Sequence, residues 1–283
     1  MNAIKLTKLA AAAALTAGLL MVSLAAQAPP PQPPAQPGAA PAQPSTPVAK
    51  QPAVKSQEEA KLVMAMLQST QQPDPDVRIK AAKELLSKFP NTEFKALALF
   101  FITLSLQEKG DYEQTIAYGE QTLKEDPENI QTLLLLSRLI ASRTRENDLD
   151  KEEKLTTAEK YATRAVEALK TAPRPNPSVT DEQWAEAKKE LLAQAYEAYA
   201  MIAMVRNKTD LAVENFRKAL EVAPPPGDPA TMVRLGNALA RAGKFDEAVS
   251  TFEKVMSDPN APQQVKQIAQ AERARAIQAK NAK

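Results

Sequence analysis

From Ser56 onward the apolar positions recur at intervals of three and four, the stripe of a helix that buries one face. Leu62, Val63, Met66 and Leu67 open the series, Leu133, Leu136 and Ile140 continue it, and Ala158, Tyr161, Ala162, Ala165 and Val166 carry another stripe. The period runs unbroken from Trp184 through Leu191, Ala195 and Tyr199 to Val205, predicting one extended helix of about 26 residues. Start and stop signals frame these stripes. Ser56 with Glu59, and Thr180 with Gln183, have the spacing of capping boxes. A helix predicted over Val77 to Phe89 stops at Pro90, because proline cannot continue a helix. After Pro259, Asn260 and Gln263 open a last helix, Val265 to Ala279, rich in Ala, Gln, Lys and Arg. Every predicted element is a helix, so the fold class is all-α.

One stretch, Met232 to Pro259, sets the pattern for the rest. Gly236 and Ala248 are small where two helices must cross closely, and Leu235, Leu239 and Phe252 are the apolar rows that fill the crossing. Gly243 stands where a left-handed cap is needed and Pro259 where the second helix must stop. A hairpin of this kind cannot bury its apolar faces alone, so the pattern should recur. It does: Tyr199, Ala212, Phe216 and Ala219 lead to Pro224, and Ile102, Leu106, Gly110, Asp111, Tyr112, Thr115 and Ile116 lead to Pro127. The latter copy is weaker, with Thr115, Gly119 and Thr122 in place of the usual small or aromatic residues. From Thr115 to Ala158, Ala212 and Ala248 the steps are 43, 54 and 36 residues. The excess falls in the charged run Arg143 to Lys154, in Thr171 to Thr180 with its three prolines, and in Pro224-Pro225-Pro226.

Leu235, Gly236, Leu239, Gly243, Phe245, Ala248 and Phe252 occupy the consensus slots of the tetratricopeptide repeat, which this stretch resembles. The resemblance implies a right-handed α-solenoid of antiparallel helix hairpins. Its repeats would span 56–90 in degenerate form, 96–129, 130–173 with an insertion, 181–226 and 229–260, with 261–283 as capping helix and tail. The segment Ser87 to Phe101, followed by E-K-G-D-Y-E, is similar to the envelope members of that family in outer-membrane assembly and cell-division coordination. In such proteins the exposed side of each first helix lines a concave groove. Mapped onto this chain, those slots are Gln131, Leu134 and Arg138; Glu197, Met201 and Met204; and Val233, Arg234, Asn237 and Arg241. Asn237 with the two arginines can hold a peptide backbone or a carboxylate, since the planar guanidinium fork matches a carboxylate. Met201 and Met204 would supply an adaptable apolar patch. Val233 stands where the family's carboxylate clamp carries lysine, so that ligand is not expected.

Upstream of the repeats the character changes. Met1 to Ala28 has Lys5 and Lys8 ahead of an apolar run, Leu9 to Leu24, and ends in Ala26-Gln27-Ala28: a secretory signal, or an uncleaved anchor. Residues 29–55 form a Pro-, Ala- and Gln-rich linker in which proline fixes φ and donates no amide hydrogen, and it is expected to be disordered. Trp184, the only tryptophan, is expected to cap an edge of the core or to anchor a partner.

Composition narrows the chemistry. The chain has no cysteine and no histidine, which excludes disulfides, thiol nucleophiles, lipid attachment to cysteine, Cys/His zinc sites and histidine general bases. Formal charge is +2, with no basic stripe for nucleic acid. Seven glycines include no phosphate-binding loop, and acidic pairs such as Glu152-Glu153 read as solvated helix ends. The expectation is therefore a non-enzyme with no cofactor or metal: a periplasmic or secreted scaffold of the bacterial cell envelope that binds a protein or peptide in its groove. The alternative is a membrane-anchored spacer with no groove ligand, touching the membrane only through its N-terminus.

Overall fold

The computed structural model describes residues 46–282. The expected signal or anchor and the linker as far as residue 45 lie outside the described residues. Among the described residues eleven helices follow one another: α1 (Gln57–Ser69), α2 (Pro75–Lys88), α3 (Lys95–Lys109), α4 (Tyr112–Glu125), α5 (Ile130–Arg143), α6 (Lys151–Thr171), α7 (Asp181–Val205), α8 (Thr209–Val222), α9 (Pro229–Arg241), α10 (Phe245–Ser257) and α11 (Gln263–Asn281). No strand occurs among the described residues, and the protein is an all-α solenoid of helical hairpins. Two compact units are distinguished, residues 46–51 with Pro173–Ala185, and the remainder.

In the larger unit, α3 packs on α4, α5 on α6, and α9 on α10. Three hairpin turns need a left-handed residue after the first helix. Gly110 (φ 77°), Asn207 (φ 57°) and Gly243 (φ 76°) provide it. Glycine adopts that conformation without Cβ strain, and asparagine is among the few other residues that tolerate it. Between α5 and α6 an ordered loop replaces the tight turn. There the Asp148 carboxylate accepts the Arg145 amide (3.1 Å) and the Lys154 ammonium (3.3 Å). The first of these bonds, helped by Lys154, holds the Asp148 carboxyl below its ordinary range.

The crossings close as the small residues dictate. A Cβ on Gly236 would fall 2.7 Å from Phe252 Cζ, and one on Gly119 would fall 2.7 Å from Leu136 Cδ2. At the equivalent slot of α5, Ser137 sends its hydroxyl to the Ala158 carbonyl at 2.6 Å. The weaker copy absorbs its threonines by back-bonding: Thr115 donates to Asp111 O (2.6 Å) and Thr122 to Tyr118 O (2.9 Å). Both hydroxyls are thereby satisfied inside the core. Ala200, Ala203, Phe216, Leu239, Phe252 and Val255 belong to the C-terminal core, into which α11 inserts Ala269 and Ala276.

The capping box at α1 forms in modified fashion. Ser56 Oγ accepts the Glu59 amide, while the Glu59 carboxylate takes the amide of Lys55 rather than of Ser56. The smaller unit corrects one expectation. The linker is not free as far as residue 55, because residues 46–51 run extended and paired with Arg174. In the same unit Trp184 is buried, at 7% exposure.

Candidate partner-binding groove

Successive first helices α5, α7 and α9 each present one residue at the fifth slot of the repeat, where all three are buried. These are Leu134, Glu197 and Val233. The expectation that Leu134 lines a groove is thus overturned: at 1% exposure it lies in a cluster with Leu133, Leu136, Leu123, Ala165 and Ala195. The physical reason is the closeness of neighbouring first helices, which turns this slot toward the next helix instead of toward solvent. Val233 is buried for the same reason, and Glu197 is not an open groove residue either.

Glu197 occupies an otherwise apolar row, and burying a lone carboxylate there would cost several kcal/mol. Its two oxygens are satisfied from both sides. Arg138 Nη1 on α5 reaches Oε2 at 3.3 Å, Thr231 Oγ1 on α9 donates to Oε1 at 3.2 Å, and Arg234 Nη1 on α9 donates to Oε1 as well. One buried carboxylate therefore links three consecutive first helices. The two guanidiniums stay partly exposed, Arg138 at 34% and Arg234 at 44%. Arg138 Nε is buried without a hydrogen-bond partner among the described residues. A second carboxylate lies beside the node, with Asp228 Oδ2 also 3.2 Å from Thr231 Oγ1.

A second link lies one to two turns further along. Arg241 donates to Asn207 Oδ1 (2.7 Å), and Asn207 Nδ2 donates to Glu146 (2.8 Å). Beside it Arg206 bonds Glu159 (2.7 Å) and Glu152 (3.0 Å) on α6. Burial acts to lower the Arg206 pKa, but these carboxylates outweigh it and the net shift is upward. Lys244 pairs with Asp210 at 2.9 Å.

What remains available on the row is small. Met201 and Met204 are half-buried against the core, and Asn237 is half-buried with no hydrogen bond among the described residues. Gln131 is half-buried at the start of α5. The structure thus brings Arg138, Glu197 and Arg234 into one node, and links Arg241 to a different partner. Sequence reasoning missed Glu146, Asn207 and Thr231. A signal existed: Asn207 to Arg241, Asp210 to Lys244 and Glu197 to Thr231 are each 34 residues apart, two short of the 36-residue step between Ala212 and Ala248, so complementary residues at that offset face each other across neighbouring repeats. An open hollow lined by Pro127, Arg164, Glu167 and Thr171 lies at the α4–α5 turn, away from this row. Among the described residues, no group of three or more acidic side chains is placed to hold a metal ion.

Hairpins stacked through their first helices, with a row of partly exposed side chains on those helices, define the class of helical-repeat scaffolds. Models of the tetratricopeptide repeat match residues 231–264 and 193–226. Those two stretches are tetratricopeptide repeats, and scaffolds built from such repeats typically mediate protein interactions. No curated protein matches it in sequence. Among solved structures it is similar to PilW, described as a widely conserved type IV pilus biogenesis factor, with 14% identity, TM-score 0.57, and coverage of 80% of this chain and 90% of that one. It is also similar to MamA from Desulfovibrio magneticus RS-1, residues 41 to the end, with 15% identity, TM-score 0.53, and coverage of 72% and 96%. At these identities the likeness concerns the fold alone.

Proposed function

We propose that this protein is an exported scaffold of the cell envelope that binds a protein or peptide partner along its first-helix row, without catalysis of its own. The observation that supports this is the set of Met201, Met204 and Asn237, half-exposed side chains on first helices that also carry the partly exposed guanidiniums of Arg138 and Arg234. Thioether side chains adapt to varied apolar surfaces, and the carboxamide supplies a donor and an acceptor for a peptide backbone. Because those arginines are already held by Glu197, the row is preorganised and binding loses little side-chain entropy. The expected export rests on the signal-like pattern of residues 1–28. One observation favours the spacer reading: Arg234 and Arg241, expected to meet a partner, bond within the chain.

Photo-crosslinking in cells from a probe replacing Asn237, with a probe at exposed Lys254 on α10 as control, separates the two. Capture of one dominant protein from the Asn237 site alone supports the scaffold. Equal, diffuse labelling from both sites removes the groove and leaves the spacer. Mass spectrometry of the mature N-terminus tests export: a start after Ala26 or Ala28 indicates cleavage, and an intact Met1 indicates an anchor.

A further inference from the structure

The smaller unit pairs two proline-flanked pieces of the chain. Arg174 stands between Pro173 and Pro175, and a following proline biases its predecessor to extended backbone. Thr46 precedes Pro47 and Gln51 precedes Pro52, so the facing segment is biased in the same way. The two extended pieces meet as a parallel bridge between Val48 and Arg174. The Arg174 amide donates to Pro47 O at 2.7 Å and the Ala49 amide donates to Arg174 O at 2.8 Å. Side chains complete the site: Arg174 Nε donates to Thr46 O (3.1 Å), the Thr46 amide to Asp181 Oδ1 (3.0 Å), and Gln51 Nε2 to Pro175 O (2.8 Å). The receptor side is itself braced, with Arg174 Nη1 on Val179 O at 3.0 Å and Arg174 Nε 3.5 Å from Asp181 Oδ1.

We infer that the loop between α6 and α7 is a receptor for an extended peptide, and that its resident occupant is the chain's own segment 46–51, within the Pro-rich linker. The prolines pin the register. Pro47, Pro173 and Pro175 have no amide hydrogen, so Arg174 is the one residue among 173–175 that can both donate and accept through its backbone. Both pieces are extended before they meet, so little backbone entropy is lost on docking. The consequence is mechanical. Whatever residues 1–45 attach to is coupled to the folded chain at the Arg174 loop instead of through a slack lead into α1. Neither Pro47 nor Val48 enters the buried core, so the strap is held chiefly by hydrogen bonds and can be released.

The test is hydrogen exchange on the full-length protein, wild type against Arg174→Ala and Ala49→Pro. The second variant deletes one strap donor while leaving the receptor loop intact. In the wild type the Ala49 and Arg174 amides should exchange at least about tenfold more slowly than in an unstructured peptide. Arg174→Ala should abolish the Ala49 protection and speed tryptic cleavage after Lys50 by a similar factor. Ala49→Pro should abolish protection at Arg174. Unchanged protection across α8 to α10 shows that each variant is folded. Should a variant lose it, the other variant and the wild-type rates decide the question. Free-peptide exchange rates at Ala49 and Arg174 in the wild type overturn the inference, as does full protection in both variants.

Discussion

Adding one methyl group at Gly236 would drive a carbon into the ring of Phe252, 2.7 Å from Cζ, with both residues buried. Gly236→Ala should therefore lower stability by about 1–3 kcal/mol, the usual cost of overpacking a closed crossing, measured by urea unfolding. Glu197 makes the opposite case, a polar group that the core tolerates because three donors converge on it. Glu197→Ala should cost about 1–3 kcal/mol. That is less than a fully buried pair would, because Arg138 and Arg234 can turn to water. Burial raises the phenols of Tyr161, aided by Glu120, and of Tyr199, against a hydrogen bond from Thr163, above their ordinary 10.0. An acid whose folded pKa is raised keeps its proton in the native state longer than in the unfolded chain. Its contribution is complete below pH 10 and fades as pH rises through the raised value. Thermal melts between about pH 9 and 11 should show a shallower alkaline decline in the Tyr161→Phe, Tyr199→Phe double variant than in wild type.

At the scale of elements, most of the architecture was readable from residues. Ser56, Pro90, Gly110, Gly243 and Pro259 mark starts, turns and stops because each has backbone chemistry that acts within a few residues of itself. Asn207 was less visible, since asparagine enters the left-handed region only at some cost and equally serves elsewhere. Asn207→Ala should destabilise by about 1 kcal/mol more than Asn207→Gly. Both variants lose the bonds to Arg241 and Glu146, so the difference isolates the backbone term, and it can be read from paired urea titrations. The positions of the candidate row were partly legible. Met201, Met204, Asn237, Arg234 and Arg241 are on first helices as expected, yet Leu134 and Glu197 are buried. A helical period shows which face a residue shares, whereas the distance to the next helix depends on residues far away in sequence.

At the scale of the molecule, α11 behaves as the first helix of a further unit that the chain's chemistry then closes off. Lys280 pairs with Asp246 as Lys244 pairs with Asp210, both at an offset of 34 residues. Along the same helix Glu272 and Arg275 lie one turn apart and bond each other at 2.5 Å. A second helix cannot pack closely over an ion pair, so the outer face of α11 resists extension of the array. Glu272→Ala with Arg275→Leu, beside Ile268 at 45% exposure, should convert that face into an acceptor. Concentration-dependent association by light scattering should appear where the wild type shows less. Local rules written into the sequence determined the helices, the hairpin period, the all-α class and the absence of thiol and imidazole chemistry, because each depends on residue type and short spacing. Tertiary structure alone decided that Glu197 bridges three helices, that Leu134 is core, and that residues 46–51 dock on Arg174. The bonds at Glu197 and at the Arg174 loop join positions 34 to 135 residues apart, and pairing at such separations arises only once the chain has folded back on itself.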